Sequence, residues 1–243
     1  MENPAYKLHA ILNDAYSRCS GVSGGNIKFK TTWSKVFEID EQDTSALLNS
    51  INTLLNLVIK TKEFIQNNAI LNDELNNKFI RNIEHSLSEL NFEGNMISFK
   101  NYINSETLTA LNYIAKHMDL IYKFENQNVN EEDVKNLIKE IDELIESITQ
   151  SSLQEEVKLL LFKNLNTIRE SLFTYNINGA EGIKTALEQT IGSLFINNKS
   201  IVQVSNDENV KGLFNIIDKL NSILSTGVAI KDLLGPVFSL LIK

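Results

Sequence analysis

The stretch that decides the fold is NEEDVKNLIKEIDELIESITQSSLQEEVKLLLFKNLNTIRESLFTYNINGAEGIKTALEQTIGSLF, residues 130–195. Apolar residues recur in it at spacings of three and four, which places them on one face of a helix. The first run consists of Val134, Leu137, Ile138, Ile141, Leu144, Ile145 and Ile148, and two similar runs follow. We therefore predict three consecutive helices. Their start signals are Asn130, the pair Ser152 and Glu155, and Asn178.

The rest of the chain predicts the same structural class. Apolar residues at helical spacing fill residues 4–19, 43–65, 72–91, 105–121 and 210–224, and residues 92–104 are expected to form a loop. Residues 27–33 alternate as a strand would (Ile27, Phe29, Thr31 and Trp33), but Trp33, Val36 and Phe37 share a face in a short helix, which we prefer. Eight or nine helices joined by short links predict an all-α protein, an irregular multi-helix bundle.

The division into domains is less clearly marked. Residues 196–208 are polar and lack helical spacing, and they contain a second capping signal, Ser205 with Glu208. They predict a main helical bundle, residues 1–200, and a C-terminal helix pair, residues 201–243. A single domain is an equally plausible interpretation.

Composition narrows the classes of function. The net charge of −8 argues against a protein that binds nucleic acid by neutralising phosphates, and it fits a soluble cytosolic protein or one whose partner is basic. Cys19 is the only cysteine, so no disulfide or thiolate cluster can form within one chain. The N-terminal residues lack the pattern of a signal peptide, and no run of 18 apolar residues occurs. We expect a cytoplasmic protein.

Two short motifs resemble those of a known group. TWSKVFEI, residues 32–39, and NGAEGIKTALEQTIGSL, residues 178–194, together resemble a group of bacterial all-helical proteins of no established activity. The resemblance implies a bacterial origin, a helical fold and a place in a stress, phage-defence or toxin-linked system. It carries over no functional residue.

The glycines of the second motif suggest a phosphate-binding loop. However, Asn178 to Gly182 follow no predicted strand and lack the Lys and the Ser or Thr of such a loop. We predict instead that Asn178 caps a helix, with Glu181 reaching back to it, and that the glycines allow a sharp turn after Tyr175.

Four carboxylates in the first predicted helix of residues 130–195 suggest a metal-binding or acid–base site. Glu140, Asp142, Glu143 and Glu146 lie away from the apolar face. Carboxylates that bind metals in helical bundles point into the interior instead. We predict a solvated acidic face, and if it binds anything, a basic protein is the natural partner.

Other candidate chemistry is sparse. Arg81 and His85 share a predicted helix face, a pair that a ribonuclease would use for phosphate binding and proton transfer. The polar residues that would support this chemistry are missing around them. His9, His85 and His117 lie on three predicted helices with no metal-ligand spacing. We therefore predict no catalytic residue, no metal site and no cofactor.

The C-terminal segment, residues 227–243, is more apolar than a surface helix needs. Its candidate contact residues are Val228, Ile230, Leu233, Leu234, Val237, Phe238 and Leu241. One interpretation is a buried terminal helix, and the other is a segment that enters a membrane or docks on a partner.

These observations predict a non-catalytic protein-interaction protein that binds another protein, or a second copy of itself, and no nucleic acid. A membrane-active effector that uses residues 227–243 is the alternative. A helical ribonuclease built on Arg81 and His85 stands a distant third.

Overall fold

The computed structural model describes residues 2–20, 26–124 and 129–224. These residues form eleven helices and, apart from one β-bridge between Lys28 and Asn95, no strand pairing. The predicted all-α class is confirmed, with more helices than expected. The helices are α1 (Pro4–Arg18), α2 (Phe29–Val36), α3 (Thr44–Gln66), α4 (Glu74–Ser88), α5 (Ile97–Tyr102), α6 (Ser105–Tyr122), α7 (Glu131–Gln150), α8 (Glu155–Phe173), α9 (Tyr175–Ile196), α10 (Asn198–Gln203) and α11 (Glu208–Ile223).

Short polar side chains start most of the long helices. Each accepts a backbone N–H of the first turn, which would otherwise lack a partner within the helix. These capping residues are Asn3, Asp43, Asp73, Asn104, Asn130 and Asp207. The predicted cap at Asn130 is therefore confirmed.

The chain divides into two compact units, Met1–Asn126 and Gln127–Lys243. The first contains α1 to α6 and the second contains α7 to α11. This division differs from the one expected near residue 200. The reason is that α10 and α11 bury Ile201, Val210, Leu213 and Ile217 in the core of the second unit.

In the first unit, α1 packs against α2, α3 and α6. A ring cluster fills the space beside it: Trp33 is fully buried, and its ring centre lies 5.4 Å from that of Phe37 and 5.7 Å from that of Phe99. Phe99 belongs to the short helix α5, which lies within the region 92–104 predicted as a loop. The short helix predicted around Trp33 is confirmed as α2.

In the second unit, α8 and α9 form a tight hairpin in which Thr174 alone separates the two helices. The chain then turns at Gly179, whose φ of 62° and ψ of −160° interrupt α9. The sharp turn was predicted, but the Asn178 side chain donates to Thr174 Oγ1 at 3.5 Å instead of capping a helix.

The capping signals predicted at Ser152 and Ser205 are wrong. α8 begins after Gln154, and Ser151 Oγ donates to the Ile148 carbonyl at the end of α7, 2.8 Å away. α11 begins after Asp207, whose carboxylate accepts the N–H of Asn209 at 2.8 Å. At α11 a residue nearer the helix therefore caps the first turn, whereas at α8 the side chain of Gln154 forms no capping bond.

Candidate functional site

The predicted acidic face lies on α7 and is partly neutralised within the fold. Asp142 accepts a bond of 2.6 Å from Arg169 Nε of α8. Both oxygens of Glu140 lie 2.6 Å from Lys219 Nζ of α11. Two of the four carboxylates therefore join α7 to neighbouring helices.

The other two carboxylates of this face point to solvent. Glu143 lies 3.8 Å from Lys139 on the same helix, and Glu146 is exposed. Lys135 is also exposed on this helix, so the outer surface of α7 carries both signs of charge. A role for it in binding a basic partner stays a prediction.

The three histidines occupy different surroundings in the first unit. The His85 ring stacks on Tyr102 with centres 5.5 Å apart, while His9 and His117 line two separate grooves. Arg81, the other residue of the ribonuclease hypothesis, lines neither groove. Among the described residues, no group of three or more His, Cys, Asp or Glu side chains is arranged to hold a metal ion.

Residues 227–243, which carry the membrane hypothesis, lie outside the described residues. Across the described ranges, every helix is too short or too polar to cross a membrane.

The two grooves lie on either side of α6. Ser105, Thr109 and Tyr113 line both of them, at the four-residue spacing that aligns side chains along one ridge of a helix. Asn3 fixes the register of α1 against this helix, because its Nδ2 donates to the Ala115 carbonyl at 2.7 Å and to Asp119 at 2.8 Å. α6 thus forms one side of both grooves.

The first groove, which we call the polar groove, lies between α1 and α6 and has a volume of about 550 Å³. α1 contributes His9, Asn13, Tyr16 and Ser17, and Ser20 follows just after this helix. α6 contributes Ser105, Leu108, Thr109, Asn112, Tyr113 and Lys116. Partial burial lowers the pKa of His9, because desolvation favours the neutral imidazole over the charged one.

The second groove, which we call the apolar groove, lies between α6 and the start of α4 and has a volume of about 600 Å³. Its apolar lining is Ile70, Leu75, Phe79, Ala110, Tyr113 and Ile114. Its polar lining is Asp73, Asn76, Ser105, Glu106, Thr109 and His117. It thus combines a large apolar surface with two carboxylates.

The turn before α4 holds Ile70 out toward solvent. Asn68 Oδ1 accepts the Ile70 N–H at 2.9 Å, and Asn76 Nδ2 donates to the Leu71 carbonyl at 2.8 Å. Leu71 is fully buried and anchors the turn in the core. The exposure of Ile70 is therefore built into an ordered turn.

Neither groove was predicted from the sequence, and Leu75, one of the periodic apolar residues of 72–91, is exposed. Leu75 has the correct helical spacing from Phe79 and Ile83, but it lies in the first turn of α4, where it is 59% exposed while those two residues are buried. The available signal was Tyr113, a large ring on α6 that lies off the apolar face of that helix.

No family model, no curated protein and no solved structure matches the chain. The resemblance drawn from residues 32–39 and 178–194 stays a prediction.

Proposed function

We propose that the protein is a non-catalytic protein-interaction protein whose apolar groove binds a helix of another protein. One observation carries the proposal: three large apolar side chains that line the same groove are exposed, Ile70 by 74%, Leu75 by 59% and Tyr113 by 60%. Contiguous apolar surface of this kind is typical of interaction sites, since each such side chain gains about 1.5–3 kcal/mol on full burial.

The charges around the groove favour a basic partner. Asp73 and Glu106 line it, and its described lining includes no Lys or Arg. The whole chain carries a net charge of −8, which adds long-range attraction for a cationic segment. The occupant that fits is an amphipathic helix with apolar residues at spacings of three and four and with Lys or Arg beside them.

The cellular setting is part of the proposal. The resemblance of residues 32–39 and 178–194 suggests a bacterial stress, phage-defence or toxin-linked system. The free, buried thiol of Cys19 is consistent with the reducing cytoplasm.

The test is affinity capture from a lysate of the native host, with quantitative mass spectrometry of what is bound. Leu75→Gln keeps the size of the side chain while it removes an apolar contact from the groove. We expect it to reduce capture of the specific partner at least about tenfold, the equivalent of about 1.4 kcal/mol.

Leu120→Gln is the matched control, because Leu120 lies on α6, is 77% exposed and lines neither groove. It should capture the partner as the unchanged protein does. Equal capture by all three proteins would contradict the assignment of the partner to the apolar groove.

A further inference from the structure

The polar groove has an unusual charge composition for this chain. The chain carries 31 Asp and Glu against 23 Lys and Arg, yet the described lining of the polar groove includes Lys116 and no carboxylate. An anion that enters the groove meets an ammonium group and hydroxyl or amide donors, without a carboxylate in the lining to repel it.

Several side chains of the polar groove have unused hydrogen-bonding capacity. Within the described part of the chain, the side chains of His9, Asn13 and Asn112 form no hydrogen bond to the protein. Asn3 and Asn104, in contrast, cap helices with their side chains. The groove amides and the imidazole are therefore available to a ligand.

The cation of the polar groove lies close to one of its rings. Lys116 Nζ sits 5.4 Å from the centre of the Tyr113 ring, which restrains the ammonium group at the groove wall. Lysine binds phosphate as a point charge, and hydroxyls and amides supply directed hydrogen bonds around it. Tyr16 of α1 provides a second aromatic surface in the same groove.

We infer that the polar groove binds a small phosphate monoester on a polar, ring-bearing body, the class of nucleoside monophosphates. The volume of about 550 Å³ lies within the range of small-ligand sites, about 300–1,000 Å³. Lys116 neutralises the phosphate, Asn13, Asn112 and His9 bond to the polar body, and Tyr16 contacts the ring. The two grooves share Ser105, Thr109 and Tyr113, but the residues assigned here to the ligand line only the polar groove, so the inference does not depend on the proposed partner site.

The test uses the full chain and the imidazole signals of its three histidines in ¹H–¹³C NMR spectra, assigned by His→Gln substitutions. The probes are AMP, ribose 5-phosphate, inorganic phosphate and adenosine. His9 reports the polar groove, His117 reports the apolar groove, and His85 reports neither. We expect AMP to shift the His9 signals saturably and to leave those of His117 and His85 in place.

Comparing the affinities of the four probes shows which part of the ligand, the phosphate or the ring, contributes to binding. Adenosine should bind at least about tenfold more weakly than AMP, since it lacks the charge-assisted bonds to Lys116. Stronger binding of AMP than of ribose 5-phosphate identifies the ring contact, and binding of all phosphate probes with equal affinity would overturn the ring-bearing class.

Lys116→Gln should weaken AMP binding at least about tenfold. Lys78→Gln is the matched control, because Lys78 is also exposed, lies over a ring (Phe79) at 5.7 Å and does not line the polar groove. It should change the affinity less than about twofold. Asn112→Asp is a second test, since it introduces a carboxylate that repels the phosphate and should also weaken AMP binding at least about tenfold.

Three further results would overturn the inference. They are the absence of any His9 shift with AMP at millimolar concentration, equal affinities for AMP and adenosine, and equal weakening by Lys116→Gln and Lys78→Gln. Loss of partner capture in Leu75→Gln bears on the apolar groove alone, so either site can fail without the other.

Discussion

At the residue scale, Gly179 is the position with the strictest backbone requirement. Its φ of 62° with ψ of −160° lies in a region that side chains with a Cβ rarely adopt. It is also buried, next to Ala180 in the core of the second unit. Any other residue would distort the turn from which the rest of α9 departs.

Gly179→Ala should therefore lower the free energy of unfolding of the second unit by about 1–3 kcal/mol. Urea unfolding followed by circular dichroism measures this change. Gly192→Ala is the matched comparison, because Gly192 lies inside α9 and a Cβ there would meet no atom within 4 Å. It should raise stability by about 0.5–1 kcal/mol. If both substitutions have the same sign, Gly179 is not conformationally restricted as described.

At the scale of single elements, α7 allows the contributions of apolar burial and of ion pairs to helix packing to be compared. Val134, Leu137, Ile141 and Ile148 are buried against the helices of the second unit, while Asp142 and Glu140 reach α8 and α11 from the two flanks. The ion pairs are about half exposed, so solvent screening limits what they contribute.

Asp142→Asn and Glu140→Gln should each lower the free energy of unfolding by less than about 1 kcal/mol. Ile141→Ala, at a fully buried position on the same helix, should cost about 2–5 kcal/mol. The same urea experiments compare the three variants, and 0.5 M NaCl should shrink the two charge effects and leave the Ile141 effect unchanged. If a carboxylate variant lowered the free energy of unfolding as much as Ile141→Ala, the ion pairs would contribute as much as the apolar face to the packing of α7, which contradicts this prediction.

At the scale of the whole molecule, the first unit contains its own core and its own long-range bonds. The Trp33 ring cluster, the Asn3 bonds to α6 and the bond of 2.8 Å from Tyr122 Oη to the Phe64 carbonyl all join residues within it. A unit of the length of Met1–Asn126 buries enough surface to fold as an independent domain.

Residues 1–126 should therefore fold alone, with high helicity and one cooperative thermal transition by circular dichroism. The fragment 1–110 is the control, since it removes most of α6 and with it Leu111, Ile114 and Met118 from the core. It should show no cooperative transition. Equal behaviour of the two fragments would contradict the division near residue 126.

Much of the fold follows from the sequence because helix formation is a local property. Periodic apolar residues are readable over a few turns, and so are caps such as Asn130 and Asp43. Periodicity and caps were sufficient to predict the all-α class and the positions of most helices. Short elements such as α5 and α10 were missed, because six residues hold too few turns for a period to appear.

Only the tertiary structure decided which apolar residues are covered and which polar residues meet. Leu75 and Phe79 follow the same periodic pattern, but neighbouring helices bury Phe79 and leave Leu75 exposed. His9 and Lys116 are far apart in the chain and line one groove because Asn3 sets α1 against α6. The exposure of a side chain and the meeting of two distant residues both depend on contacts between segments that are far apart in the chain. The local pattern of a single sequence does not show those contacts.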